Sequence, residues 1–560
     1  LRRTLVSPGT PGSPTGPVAL APGAASLGVR WLDIEASTPD PQLQDRARRL
    51  VEGEVYALGR GLPLEQVDWT GEPVSQLWAY HLHYFEPLST LHVMAKDGED
   101  GAAPRTIELL EGWLDATEPG RGVGWDSYPI SVRMVQWLKV LAMEEAGEPL
   151  LPGELRHRML RSLQRQALHL ARNLERDLAA NHLLKNLCAL VWAGLLLDAP
   201  DPALQGEPWI RRLAREVERQ VLPDGMHEER SPAYHQLVLH DLLEVRLLRV
   251  ALGDPGAEGM DGILGSMLHT MERMTRPDGS FLLFGDSANG SAPPPERIWR
   301  LASPIAPPGD RVEDGVWALP DAGFYGYTGP HHRLVVDCGP IGPRHQPAHG
   351  HCDALSFELD IDGVPVVVDS GVHGYGGDPF REYSRSTRAH STVMIDGKEQ
   401  SEVWGLFRVA RMAEVERLDG PRGAEEEGDP LFRFTGACTP YHARKLRQVR
   451  RFRLEAGILL VLDEIHGGEG HRMESFLHLH PRWELESDGD GVRGWDGERE
   501  LYIDPLGMDE VAVLRGRLDP VQGWYLPAMG EAHPSSVVVG RARLGAGHPS
   551  GFRLRSWRVG

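Results

Sequence analysis

The apolar pattern of this chain changes character once, and that change constrains the fold more than any single motif. From about residue 41 to residue 286, apolar side chains recur at i, i+3, i+4 and i+7, as in segments 155–177, 181–197 and 231–252. That is the period of helices with one buried face. Pro152-Gly153, the Pro200 to Pro202 stretch, Pro223-Asp224-Gly225 and Pro277-Asp278-Gly279 break the run into separate helices. After the three prolines at 293–295 the pattern becomes short β-rich runs: 334–338, 354–361, 365–369, 391–395, 407–418, 449–454, 458–463 and 473–480. Runs at 501–503, 511–514, 535–539 and 552–557 continue it, with turns at Asp362-Gly363, Asp396-Gly397 and Asp488-Gly489. The expectation is an α+β multidomain chain, an all-α half followed by stacked antiparallel sheets. We therefore divide it into a lead-in at 1–40, a helical domain at 41–295 and a β domain at 296–560. The lead-in is expected to be flexible, because 7–28 is rich in Pro, Gly, Ser and Ala.

Composition narrows the function classes. With 560 residues, 41% hydrophobic and 25% charged, the chain can bury sizeable cores. No stretch reaches the 18 or so consecutive apolar residues of a membrane helix, so no membrane partner is expected. Against 80 acidic residues stand 59 basic ones, a net charge of −21. Nucleic acid, which needs a basic face, is an unsuitable partner. An anionic substrate would need a local basic cleft. Only five of the basic residues are lysine, and arginine is the better fork for carboxylate and sulfate. Cys188, Cys338, Cys352 and Cys438 are too scattered for a disulfide framework or a zinc ribbon. The first residue is Leu1 rather than Met, so the native N-terminus is expected to be missing and a signal peptide could precede it.

Chemistry-bearing residues cluster in the β half. His349-Gly350-His351-Cys352-Asp353 is followed by Val368-Asp369-Ser370-Gly371 and then by Arg385-Ser386-Thr387-Arg388-Ala389-His390. His349 and His351 are two apart and point to one side of an extended segment. Two imidazoles and a carboxylate suit zinc or a similar divalent ion; each histidine could equally be an ordinary hydrogen-bonded residue. In the helical half Asn181-His182 opens an apolar helix, where Asn181 could simply be an N-cap. Tyr234, in the segment 224–235, could be a packing residue. Trp78, Tyr80, His83, Tyr84, Trp125 and Tyr128 could stack on sugar rings or form core.

Together these segments resemble a known family. His-Gly-His-x-Asp-Ala-Leu-Ser-Phe-Glu, Val-Asp-Ser-Gly, the Gly-Gly-Asp-Pro turn at 376–379 and Arg-Ser-Thr-x-Ala-His-Ser-Thr-Val are similar to heparinase II/III-type polysaccharide lyases. So are Leu-His-Tyr-Phe at 82–85, Asn-His-Leu-Leu-Lys-Asn at 181–186 and Asp-Gly-Met-x-Glu-x-x-Ser-Pro-x-Tyr-His at 224–235. The resemblance, over about 70 to 480, implies an incomplete (α/α) toroid, then a β-sandwich, with a catalytic cleft between them. It implies β-elimination on uronic-acid polysaccharides, from glycosaminoglycans such as heparan sulfate, chondroitin and hyaluronan to alginate, by a bacterial secreted or periplasmic enzyme. By the same matching Asn181 neutralises the substrate carboxylate with help from His349, and Tyr234 and His182 handle protons. His351, Asp369 and His390 hold a structural divalent metal such as zinc, manganese or calcium. Where relatives often carry Tyr-x-Tyr this chain has His373-Gly374-Tyr375, which leaves the second site tyrosine open between Tyr375 and Tyr383. Ser391 also stands where Asn is usual. Arg230, Arg385 and Arg388, with Tyr84, Trp125 and Tyr383, are the expected substrate contacts. The rivals are a glycoside hydrolase on a helical scaffold, using carboxylates such as Asp224, Glu228 and Glu229, and a non-catalytic polysaccharide-binding or export protein. Oligomeric state is not legible.

Overall fold

A computed structural model describes residues 17–70, 75–306, 313–426, 428–545 and 549–558. Two compact units divide the chain, and not at one point in sequence. The first holds 1–220, 237–265 and 293–310; the second holds 221–236, 266–292 and 311–560. The division between these units therefore crosses the sequence several times, where the sequence reading drew one boundary at residue 295. The stretches 221–236 and 266–292, helical only at 232–236 and 266–274, group with the sheets.

The first unit is built from helices, among them Ala24–Ser37, Ser127–Glu145, Gly153–Arg172 and Ala180–Leu196. Ser127–Glu145 and Ala180–Leu196 are buried on most faces and so lack a polar stripe. Of the expected lead-in, residues 1–16 lie outside the described residues, but 24–37 correct the expectation of flexibility. They form a helix that buries Leu27, Trp31 and Ile34. Trp31 meets Trp192 at 6.5 Å, and Glu35 receives two hydrogen bonds from Arg297, at 2.5 and 3.2 Å. Composition misled because the Pro/Gly-rich text ends at Gly23, where the apolar spacing of 27, 31 and 34 begins.

Antiparallel sheets make up most of the second unit. A five-stranded meander runs Gly315–Leu319, Phe324–Thr328, His332–Asp337, Phe357–Ile361, Val364–Val367. Four strands, Val393–Ile395, Arg472–His478, Ser536–Arg543 and Glu510–Arg515, form a second sheet. The largest has eight strands, beginning Glu414–Arg422, Phe432–Thr439, Arg447–Glu455, Ile458–His466 and Ser550–Arg558. Leu334, Val336 and Phe357 of the meander share one apolar core with Phe434, Phe452, Val461 and Leu554 of the large sheet and with Leu477 and Val538 of the second sheet. This packing of inner faces is the expected sandwich. The sequence run 407–418 splits into Arg408–Val409 and the start of Glu414–Arg422.

Candidate active site

In the second unit the site is organised by a carboxylate that the motifs did not reveal. Asp286 is fully buried in the loop after Phe281 to Phe284. Its Oδ2 accepts from His349 Nδ1 and its Oδ1 from His351 Nε2, both at 2.8 Å. The two histidines do reach one side, as their spacing predicts, although they lie in a loop rather than a strand. Gly350 between them has to be glycine, since a Cβ there would sit 1.9 Å from the Ile341 carbonyl. Arg381, also buried, forks onto both oxygens of Asp286, with Nη2 at 3.0 Å from Oδ2. Burial opposes the Asp286 charge, but Arg381 and the two imidazole N–H groups outweigh it and hold the carboxyl well below its usual range. Asp378 supports this arrangement by capping the helix Pro379–Arg385, accepting from the Phe380 and Arg381 amides. The sequence turn at 376–379 is that cap.

Tyr234, in the first turn of the helix Pro232–Ala251, lies against His349 with ring centroids 4.0 Å apart. Its hydroxyl is 2.9 Å from that of Tyr375. Desolvation pushes both phenols well above their ordinary pKa, so both remain protonated at neutral pH. Tyr383 is placed differently: it is buried, and its hydroxyl meets Ser370 Oγ at 3.1 Å. Of the two tyrosines, Tyr375 is the one whose hydroxyl meets that of Tyr234.

His351 and His390 each have a buried ring nitrogen, Nδ1 and Nε2 respectively, without a hydrogen-bond partner in the protein. With Asp353 they can each offer a ligand atom, all within 4.8 Å of one another. These three residues could hold a metal ion, as could the group His240, Asp241 and Glu244 in the helix Pro232–Ala251. Asp369, expected as the carboxylate ligand, is already engaged: its Oδ2 accepts from His390 Nδ1 at 2.6 Å and its Oδ1 from the Gly371 amide at 3.0 Å. It orients His390, as Asp286 orients His351, and a carboxylate behind a ligand histidine fixes its tautomer.

In the first unit Asn181 is not the N-cap that a bland reading would make it. It is the second residue of the helix Ala180–Leu196, buried, and follows Ala179 and Ala180 with φ of 52° and 45°. Two consecutive non-glycine residues in this region cost roughly 1–3 kcal/mol each and concentrate at functional positions. His182 Nδ1 donates to Glu175 Oε1 at 3.2 Å, and its ring packs on Tyr128 at 4.6 Å. Asn186 holds Glu175 through its side-chain amide, at 3.0 Å. An imidazole so oriented keeps Nε2 for other chemistry.

Other expected contacts are corrected. Arg230 gives its guanidinium to the carbonyls of Ala322, Glu228 and Asp321. Arg385 is buried and gives its own to Gly405 and Arg408. Both guanidinium groups are thus anchored on backbone carbonyls of neighbouring loops. Arg388 is half-buried and its carbonyl accepts from His478 and Gln522. Trp125 is core, packed against Trp113 and His169. Tyr84 is buried beside Tyr128. Asp224, a carboxylate of the hydrolase alternative, accepts the backbone amides of Asp321 and Ala322.

This fold, helices followed by antiparallel sheets, has solved counterparts. A crystal structure of heparinase III superposes with a TM-score of 0.72 at 16% identity, covering 94% of this chain and 86% of that one. The likeness shows the fold, an incomplete (α/α) toroid followed by an antiparallel β-sandwich. Residues 57–294 match the family described as Heparinase II/III N-terminus, and residues 311–550 match Heparinase II/III-like, C-terminal. The chain belongs to the heparinase II/III family. Two curated relatives are each 28% identical. Heparin-sulfate lyase of Pedobacter heparinus aligns over 215 residues, 33% of this chain and 31% of that protein. FtsZ-localized protein C of Caulobacter vibrioides aligns over 324 residues, 55% and 52%. The chain thus spans about a third to a half of the length of the curated relatives it matches.

Proposed function

We propose that this protein is a polysaccharide lyase acting on a uronic-acid polymer, of the glycosaminoglycan kind or alginate. The observation that carries the reading is the Tyr234–Tyr375 hydroxyl pair stacked beside an Asp286-held His349. β-Elimination removes the proton α to the uronate carboxylate, forms a carbon–carbon double bond and breaks the bond to the 4-linked oxygen. That oxygen then leaves with a proton. A phenol kept protonated by burial is suited to supply that proton. His349 is fixed through Nδ1, and its Nε2, 3.9 Å from Glu229 Oε1, is the nitrogen assigned to charge developing on the substrate carboxylate. Asn181 is assigned to the same carboxylate and His182 to proton abstraction, on their motif positions. Glu175 supports His182 in that role by holding its Nδ1.

A divalent cation such as zinc fits the two orphaned imidazole nitrogens and the Asp353 carboxylate. When bound it would tie 351–353 to 390 and so brace the loop that carries His349. Such a polymer is met outside the cytoplasm, so a secreted or periplasmic site is proposed; among the described residues no helix is long and apolar enough to cross a membrane.

A second reading is non-catalytic binding of the polysaccharide; the relative with the longer alignment is named for where it localises and not for a reaction. Incubation with heparan sulfate, chondroitin sulfate, hyaluronan and alginate separates the two, since elimination leaves an ultraviolet-absorbing conjugated product. Binding without product would favour the second reading.

A further inference from the structure

Few large apolar side chains are exposed among the described residues, and three of them stand together. Trp404 is 52% exposed, Leu406 37% and Phe407 38%. They occupy a small hairpin in which Val403–Trp404 pairs with Arg408–Val409, turning through Gly405 at φ +56°. Exposed apolar surface in a loop is costly and marks a contact face when concentrated.

Two buried arginines fasten this hairpin from below. Arg381 donates from Nε and Nη2 to the Leu406 carbonyl, at 3.0 and 2.7 Å, while its other edge holds Asp286. Arg385 donates to the Gly405 and Arg408 carbonyls at 3.1 and 3.2 Å. Phe407 reaches the candidate site itself. Its ring centroid lies 5.3 Å from that of Tyr375, edge to face, and 6.3 Å from that of His349. A surface tip tied to the same guanidinium that holds the His349 carboxylate is pre-positioned. Ordinary loops are not anchored in this way.

We propose that the 403–409 hairpin is the wall on which a sugar ring of the polysaccharide stacks beside the reacting bond, with Phe407 and Trp404 as its contact residues and Arg381 as a positioning residue. This deepens, and rests on, the lyase reading above. The occupant is a pyranose because its axial C–H face is apolar while its rim carries hydroxyl and carboxylate groups. An aromatic face takes the former, and the Tyr234–Tyr375–His349 cluster takes the latter. The hairpin thus does the work that the sequence assigned to Arg385, which acts only through the carbonyls that it holds.

The test is a set of variants, Trp404→Ala, Phe407→Ala and the conservative Trp404→Phe, with melting temperature as a check on folding. Binding of heparan sulfate, chondroitin sulfate, hyaluronan and alginate oligosaccharides is measured by calorimetry in a Tyr234→Phe background, and turnover by ultraviolet absorbance in the wild-type background. Each alanine variant should weaken binding by about ten-fold or more, the effect of losing a well-packed aromatic contact. Trp404→Phe should recover most of it. Trp404→Ala should raise KM with kcat nearly unchanged, whereas Phe407→Ala, touching Tyr375, should lower kcat as well. Elimination with wild-type KM and kcat in both alanine variants overturns the hairpin and leaves the lyase reading standing. Binding that needs Trp404 and Phe407 but yields no ultraviolet-absorbing product keeps the hairpin and overturns the lyase. If no polymer binds, both are overturned.

Discussion

Tyr234, half-buried, and Tyr383, buried, both lie within or near a family motif, yet their hydroxyls have different partners. The first faces Tyr375 and the second Ser370. Tyr234→Phe should cut turnover about 10²–10⁴-fold, the usual contribution of a general acid, while the ring packing on His349 and substrate affinity are retained. Tyr383→Phe should retain turnover and lose only a modest amount of stability. Initial rates at saturating substrate check both, and equal losses in the two variants would contradict the assignment. The motifs could not make this distinction, because Tyr375 and Tyr383 are close in sequence and only the helix Pro379–Arg385 carries Tyr383 inward. The arginines show the same limit of motif reading. Proximity to a motif says nothing of direction, and Arg230 and Arg385 point at carbonyls. Asp286 was invisible because it sits in an aperiodic loop far upstream of the histidines it holds.

Among the elements, the helix Ala24–Ser37 carries the clearest energetic consequence. Burial alone would raise the Glu35 pKa, but the Arg297 guanidinium outweighs it and the carboxyl ends below its ordinary value. A depressed folded-state pKa contributes stability that is fully present above the unfolded carboxylate value of about 4.3 and is lost as pH falls through the folded value. Glu35→Gln leaves Arg297 buried without its counter-charge and should cost about 3–5 kcal/mol at neutral pH. That cost should shrink as pH drops below the carboxylate range, where wild-type Glu35 is itself neutral. Denaturant titrations of both proteins at neutral and acidic pH check this; a difference independent of pH would show that the pair is not ionic. Helices with clear 3.6-residue periods, such as Gly153–Arg172, were legible to within a few residues. Strands Gly315–Leu319 and Phe432–Thr439 were not, since the first is short and opens on glycine and the Phe-Arg-Phe-Thr alternation of the second stops at Gly436.

For the whole molecule, the change from helical to β pattern was readable because it spans hundreds of residues, whereas the grouping of 221–236 and 266–292 with the sheets leaves no local sequence mark. The metal assignment belongs to this scale, because ligands from 351–353 and 390 would tie distant segments together. His351→Ala, Asp353→Ala and His390→Ala should each lower bound metal and melting temperature together, as loss of a ligand that favours the native state requires. Asp369→Asn, which can still hold His390, should lower both less. Elemental analysis of purified protein with thermal melts checks this, and equal effects at Asp353 and Asp369 would restore Asp369 as a ligand. The most direct measurement is ultraviolet absorbance and product sizing after incubation with heparan sulfate, chondroitin sulfate, hyaluronan and alginate. The lyase account predicts unsaturated oligosaccharides from at least one polymer, abolished in Tyr234→Phe. New reducing ends without ultraviolet absorbance, or no cleavage of any polymer, would contradict it.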